Sequence, residues 1–328
     1  MFRETLSRGL SRDPLIKVVA TAPDPYVARD KILEFEPDVM TLDVEMPRMN
    51  GIEFLRRLMP QYPIPVVMIS GYSDNVFEAL KAGAVDFVAK PDPGHSKTMD
   101  AMINELIVKI KAASMARLEH WGKHTDMFQP APGSKAKTSS KIVAIGASTG
   151  GTEAILQIIK AFPKEMPGIL VVQHMPFGFT RMYAERLDKL CSLEVKEAQN
   201  GDSIEPGSVL IAPGDQQMRL VKSGSGYKVD CQAGERVNGH SPSVDVLFNS
   251  VSDVAGSKAI GVILTGMGSD GAQGLLAMRK KGARTFGQDE ESCIVYGMPR
   301  VAFELGAVEK QLPLEGIPRA VLACLNQD

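Results

Sequence analysis

The residues Ile142-Val143-Ala144-Ile145 form an unbroken apolar run that ends at Gly146-Ala147-Ser148-Thr149-Gly150-Gly151 and passes into a helical pattern over 152–161. A short, continuous apolar run is the pattern of a strand buried on both faces, as in parallel sheets. The small residues after it allow a sharp strand-to-helix turn that holds Ser148 out at the sheet's edge. The spacing fits G-x-S-x-G, the turn that presents a nucleophilic serine. A phosphate loop would need a Lys-Ser/Thr ending or G-x-G-x-x-G spacing, and the stretch has neither. As a plain helix start, Ser148 or Thr149 would only cap backbone amides.

The same arrangement recurs along the chain. The run 169–173 reads as a buried strand followed at once by His174. The run 259–264 reads the same way, and a glycine-rich loop, 265–271, then delivers Asp270. Ligands of open α/β sheets bind outside the carboxyl ends of the strands. A serine, a histidine and an aspartate therefore converge on one edge, the inventory of a nucleophile, its base and the carboxylate that orients the base. Asp270 could instead cap the helix it precedes, and His174 could be a loop histidine. The other histidine after Ser148 is His240, in the polar loop 238–242 with no strand behind it, which makes His174 the better base. The order Ser, His, Asp differs from the α/β-hydrolase order, so the expected fold is another doubly wound sheet.

A length of 328 residues suggests two domains. A net charge of −2 gives no electrostatic footprint for nucleic acid. No apolar run reaches the roughly 20 residues that span a bilayer, and the N-terminus is not a signal peptide. Cys191, Cys231, Cys293 and Cys324 show no Cys-x-x-Cys pairing, so a zinc site is not expected and reduced cytoplasmic thiols are. The stretch 118–139, rich in Pro, Ser and Lys toward its end, has a linker's composition and holds the single tryptophan, Trp121. It separates a domain at 1–117 from one at 140–328.

The first domain alternates predicted strands (15–22, 38–42, 65–69, 86–89) with predicted helices (25–35, 51–59, 76–82, 98–117), which predicts a parallel sheet covered on both faces. Asp43, Ser70 and Lys90 fall at strand ends. A carboxylate, a hydroxyl and an ammonium on one edge can accept and hold a phosphoryl group; singly, each is an ordinary turn or cap residue.

The segment Asp43-Val44-Glu45-Met46-Pro47, with Ser70-Gly71 and Phe87-Val88-Ala89-Lys90-Pro91, resembles the receiver domain of two-component response regulators. The segments around Ser148, Gln173-His174-Met175, Ser243-Val244-Asp245, Leu264-Thr265-Gly266-Met267-Gly268-Ser269-Asp270-Gly271 and Tyr296-Gly297-Met298-Pro299 resemble the catalytic domain of the chemotaxis protein-glutamate methylesterases, the CheB family. The resemblance covers essentially the whole chain.

It implies an α/β protein: a flavodoxin-like receiver joined by a linker to a doubly wound, mostly parallel catalytic domain. It implies a cytoplasmic hydrolase that removes γ-methyl esters from glutamates of chemoreceptors, releasing methanol, and deamidates receptor glutamines. Ser148 would be the nucleophile, His174 the base, Asp270 its orienting carboxylate, and the amides of Thr149 and Met267 the oxyanion donors. Asp43 would carry the phosphoryl group, delivered by the chemotaxis histidine kinase. Ser70 and Phe87 would be switch residues and Lys90 would contact the phosphate. In the family the unphosphorylated receiver covers the active site, and phosphorylation relieves the block. Catalysis would need no cofactor; receiver phosphorylation would need Mg²⁺.

One departure bears on that last point. A receiver opens with a strand ending in an acidic pair that holds Mg²⁺, whereas this chain opens at Met1-Phe2-Arg3-Glu4, inside a helical pattern. Either the start lies downstream of the natural one, the favoured expectation, or the receiver is damaged. Without that strand, 15–22 lacks its neighbour in the sheet. Two other classes remain to weigh: a response regulator whose second half is an anion-binding module, and a transcriptional regulator. The continued strand–helix alternation after the linker disfavours the latter.

Overall fold

The computed structural model describes residues 2–71, 76–91, 98–118 and 141–326. It divides into two compact units, Met1–Trp121 and Gly122–Asp328. Apart from Leu118, the expected linker and its Trp121 lie outside the described residues.

The first unit runs α1 (Phe2–Leu10), α2 (Pro25–Phe35), β1 (Met40–Asp43), α3 (Gly51–Leu58), β2 (Val66–Ser70), α4 (Val76–Ala82), β3 (Asp86–Ala89) and α5 (Met99–Ala113). Its strands form a parallel sheet in the order β1-β2-β3. Polar residues start the helices where the sequence places them. Asp24 accepts from the amides of Tyr26 and Val27, Asn50 from Ile52 and Thr98 from Ala101, each satisfying an amide that the first helical turn leaves without a partner.

One expected strand is absent. Residues 16–22 join no sheet, although side chains along 15–22 alternate between exposed and half-buried, with Leu15 80% exposed. Alternation sets the pleat of a strand but supplies no partner, and a strand exists only through its ladder. Among the described residues β1 pairs with β2 alone, so no strand reaches 16–22.

The second unit runs β4 (Ile142–Ala147), α6 (Gly151–Ala161), β5 (Ile169–Gln173), α7 (Phe179–Leu190), β6 (Glu194–Glu197), β7 (Ser208–Ile211), β8 (Gln217–Ser223), β9 (Gly226–Gln232), α8 (Val244–Ala255), β10 (Ala259–Ile263), α9 (Ala272–Lys280), β11 (Arg284–Gln288), α10 (Met298–Glu304), β12 (Lys310–Leu312) and α11 (Ile317–Leu325). Seven strands form one sheet in the order β12-β11-β10-β4-β5-β7-β6, all parallel, with β8 and β9 as a separate antiparallel hairpin. Every residue of β4, β5 and β10 is buried, which explains their uninterrupted apolar runs: both faces of a central parallel strand are covered.

The strand order positions the site. From β4 the chain passes to β5, reaches the edge as β6 and comes back to place β7 between β5 and β6; after the β8–β9 hairpin it lays β10 on the other side of β4 and continues to β11 and β12. The reversal falls between β4 and β10, and ligands of open α/β sheets bind beyond the strand ends at such a reversal. The register aligns Ala147 with Gln173 and Gly146 with Ile263. The loops beginning at Ser148, His174 and Leu264 therefore leave the sheet at one level.

Candidate active site

Ser148 lies between β4 and α6 and is half-buried. Its amide donates to Thr265 O at 3.0 Å, while its carbonyl accepts from Gly151 N at 2.7 Å and from Gln173 Nε2 at 2.9 Å. Thr265 Oγ1 donates to Thr149 O at 2.9 Å. The turn is thus tied to the loop after β10 and to the end of β5. Gly150, the residue before α6, has φ +79°, a left-handed conformation that glycine adopts without steric cost. Gly266 permits the close approach of the two loops: a methyl group there would lie 2.6 Å from Ser148 Cβ.

His174 leaves β5 with its amide donating to Ala147 O at 3.2 Å. Its Nε2 lies 2.8 Å from Asp270 Oδ2, and its Nδ1 is buried without a hydrogen-bond partner. No hydrogen bond joins Ser148 Oγ to the ring. Catalytic hydrogen bonds often close only once substrate is bound.

Asp270 is 2% exposed and does not cap α9; Gly271 holds that position. Its oxygens meet the N-terminus of a different helix, α8. Oδ2 accepts from Val244 N at 2.7 Å, and Oδ1 accepts from Asp245 N at 3.2 Å, Ser243 Oγ at 2.7 Å and Asn238 Nδ2 at 2.8 Å. Burial opposes the charge. The His174 hydrogen bond, the His174 charge, and the Asn238 and Ser243 donors outweigh it, holding the Asp270 carboxyl well below the usual carboxylate range. The positive end of α8 acts in the same direction. Asp245, next to it, is pushed upward, first by burial and then by the charge of Asp270, against hydrogen bonds from Gly274 N and Asn238.

Four further residues contribute: Gln173, the last residue of β5, and Asn238, His240 and Ser243, which lie away from the strand ends of the sheet. Gln173 Nε2 donates to the carbonyls of both Ser148 and His174, at 2.9 and 3.4 Å. Asn238 and Gly239 have φ of +53° and +83° between the paired residues Val237 and His240. This is the two-residue turn that an Asn-Gly dipeptide favours, and the dipeptide was the signal available in the sequence. The turn brings Asn238 to Asp270 and stacks the His240 ring on His174, with centroids 3.6 Å apart and planes within 7°. The loop histidine without a strand behind it is therefore part of the site.

The proposed oxyanion donors, Thr149 and Met267, follow Ser148 and Gly266 on the two loops that meet. Among the described residues, none accepts a hydrogen bond from the Met267 amide.

In the first unit, Asp43 ends β1, Ser70 ends β2 and Lys90 follows β3. Lys90 Nζ lies 2.8 Å from Asp43 Oδ1 and 3.7 Å from Glu45 Oε2. Ser70 is buried and its Oγ donates to Gly71 O at 3.0 Å. Phe87, 2% exposed, lies inside β3 with Lys109 Nζ 5.2 Å from its ring centroid. Mg²⁺ prefers a near-octahedral shell of oxygens. Among the described residues no three His, Cys, Asp or Glu side chains gather to hold a metal, and Lys90 occupies the space between Asp43 and Glu45. A magnesium site at Asp43 would need further oxygen ligands from outside the described residues.

A parallel sheet carrying Ser148, His174 and Asp270 at its switch point, preceded by a receiver-like sheet, defines a two-unit α/β protein with the side-chain set of a serine hydrolase. The CheB methylesterase family model matches residues 143–321, and the response regulator receiver domain model matches 1–102. The protein-glutamate methylesterase/protein-glutamine glutaminase 2 of Syntrophomonas wolfei subsp. wolfei is 62% identical over all of this chain and 95% of its own length. The protein-glutamate methylesterase/protein-glutamine glutaminase of Syntrophotalea carbinolica is 52% identical, again over 100% of this chain and 95% of the relative. The crystal structure of the Thermotoga maritima CheB methylesterase catalytic domain is similar at 40% identity and a TM-score of 0.55, covering 57% of this chain and 99% of that one. The chain belongs to the CheB methylesterase family.

Proposed function

We propose that this chain hydrolyses glutamate γ-methyl esters on chemoreceptors, releasing methanol, and deamidates receptor glutamines, with Ser148, His174 and Asp270 as its catalytic residues. The observation that carries the reading is the 2.8 Å contact of His174 Nε2 with an Asp270 carboxylate held by α8. An ionised carboxylate on Nε2 places the proton there and leaves Nδ1 as the basic nitrogen.

In this mechanism Nδ1 removes the proton from Ser148 Oγ as the oxygen attacks the ester carbonyl. The imidazolium that forms is balanced by Asp270. The carbonyl oxygen becomes an oxyanion received by the amides of Thr149 and Met267, each such donor being worth about 3 kcal/mol of barrier. Collapse expels methoxide, which takes the proton from His174 and departs as methanol. Water, deprotonated by the same nitrogen, then releases the glutamate and restores Ser148. A glutamine side chain follows the same course with ammonia leaving.

Residues 1–117 act as the receiver, 118–139 as the linker and 140–328 as the catalytic domain. A histidine kinase of the chemotaxis system phosphorylates Asp43, and phosphorylation raises the hydrolytic rate. The protein works in the cytoplasm. Among the described residues no helix is long and apolar enough to cross a membrane. The test is methanol release from methylated receptor membranes and ammonia release from receptors carrying glutamine at the same positions. Absence of both products with active receptor preparations overturns the reading.

A further inference from the structure

The Ser–His–Asp chemistry uses one histidine, yet two histidine rings lie face to face at this site, 3.6 Å apart. Asp270 holds His174 by one hydrogen bond at one corner of the ring, Nε2. A ring pinned at one corner can still tilt about its side-chain bonds. Tilting would carry Nδ1, which has no protein partner to hold it, away from the serine oxygen. Something must fix the plane of the ring as well as its edge.

We propose that His240 is a positioning residue for the base: its ring is the plate against which His174 lies, fixing the plane in which Nδ1 meets Ser148. The inference rests on the reading of His174 as the base. The plate has a firm mounting. The amide and carbonyl of His240 both pair with Val237, at 2.9 and 3.0 Å, and its carbonyl also accepts from the buried Gln217 Nε2 at 3.1 Å. Next along the chain, Ser241 O accepts from Asp215 N. The same turn carries Asn238, which donates to Asp270. One Asn-Gly turn thus sets the base from two sides, at the carboxylate through Asn238 and at the ring face through His240. Flatness and aromatic character at this position are what the arrangement requires, because stacked rings resist tilting while an aliphatic side chain of similar volume does not match a flat face.

The test uses the full chain with methylated receptor membranes and compares H240A, H240L, H240F and H174Q. Misplacing a reacting group by about 1 Å costs on the order of 100-fold in rate. H240A and H240L are expected to lose roughly 10- to 100-fold in kcat with KM within about threefold of the parent, and H240F to recover to within about fivefold of it. Labelling of Ser148 by a fluorophosphonate should follow the same order, which separates positioning of the nucleophile–base pair from effects on receptor binding. Thermal melting identifies any variant that has failed to fold, and the H240L and H240F pair then decides. Equal activity in H240A and the parent overturns the proposal, as does H240F impaired as deeply as H240L. H174Q with near-parental activity would instead remove the base assignment itself.

Discussion

Asp270 accepts a 2.7 Å hydrogen bond from the amide of Val244, the first residue of α8. The carboxylate that orients the base is therefore fixed by a helix N-terminus 26 positions earlier in the chain, and the stability of the fold and the ionisation of the site depend on one group.

That coupling has a definite pH signature. The folded-state pKa of Asp270 is depressed, so its contribution to stability is complete above the unfolded value of about 4 and is lost as pH falls through the folded value. In urea unfolding followed from pH 5 downward, the stability difference between the parent and D270N should shrink as the solution becomes more acidic. A difference that grows on acidification would mean the carboxyl is raised.

Residues of one catalytic unit do not contribute independently. H174Q and D270N should each lower methanol release by about 10³- to 10⁴-fold, and the double variant should be within about tenfold of the worse single. Multiplying losses would show that the two side chains act separately.

The positions of Ser148, His174 and Asp270, the residues proposed for the chemistry, could be placed from the sequence because the segments carrying them leave fully buried parallel strands, and parallel topology brings such ends together. The pattern at 15–22 marks which side chains face inward, and the lack of a neighbouring strand, anticipated from the sequence, is why it joins no sheet among the described residues. His240, Asn238 and Ser243 lie on the path from β9 into α8, where no strand end marks the place. The Asn238-Gly239 turn announced local order and Ser243-Val244-Asp245 carried part of the family resemblance, but nothing in the chain order shows that this turn reaches the loops after β5 and β10. Gln173 was read as the last apolar-strand position, whereas its amide bridges the carbonyls of the serine and the histidine.

The cysteines offer an independent check on burial. Burial pushes the Cys191 thiol up to about 11 and the Cys231 thiol up to about 12. At pH 8 roughly 0.1% or less of either is thiolate, the reactive form. Iodoacetamide should label both far more slowly than it labels free cysteine, by mass spectrometry of the native chain. Rapid labelling of Cys191 would show that its surroundings are wetter than the structure has them.

Asp43 has Lys90 at 2.8 Å and no set of acidic side chains gathered beside it among the described residues. Acetyl phosphate should therefore phosphorylate the chain slowly, with less than about twofold response to millimolar Mg²⁺. D43N should abolish whatever phosphorylation occurs, read by phosphate-affinity electrophoresis. Fast, magnesium-dependent labelling would show that the ligands exist outside the described residues.

The account turns on Ser148 as the nucleophile, and the most direct measurement is methanol release by S148A alongside mapping of the residue a fluorophosphonate modifies in the parent. The prediction is a single adduct on the peptide carrying Ser148 and a loss of at least about 10³-fold in S148A, with an unchanged melting temperature. An adduct elsewhere, or S148A within about tenfold of the parent rate, would contradict it.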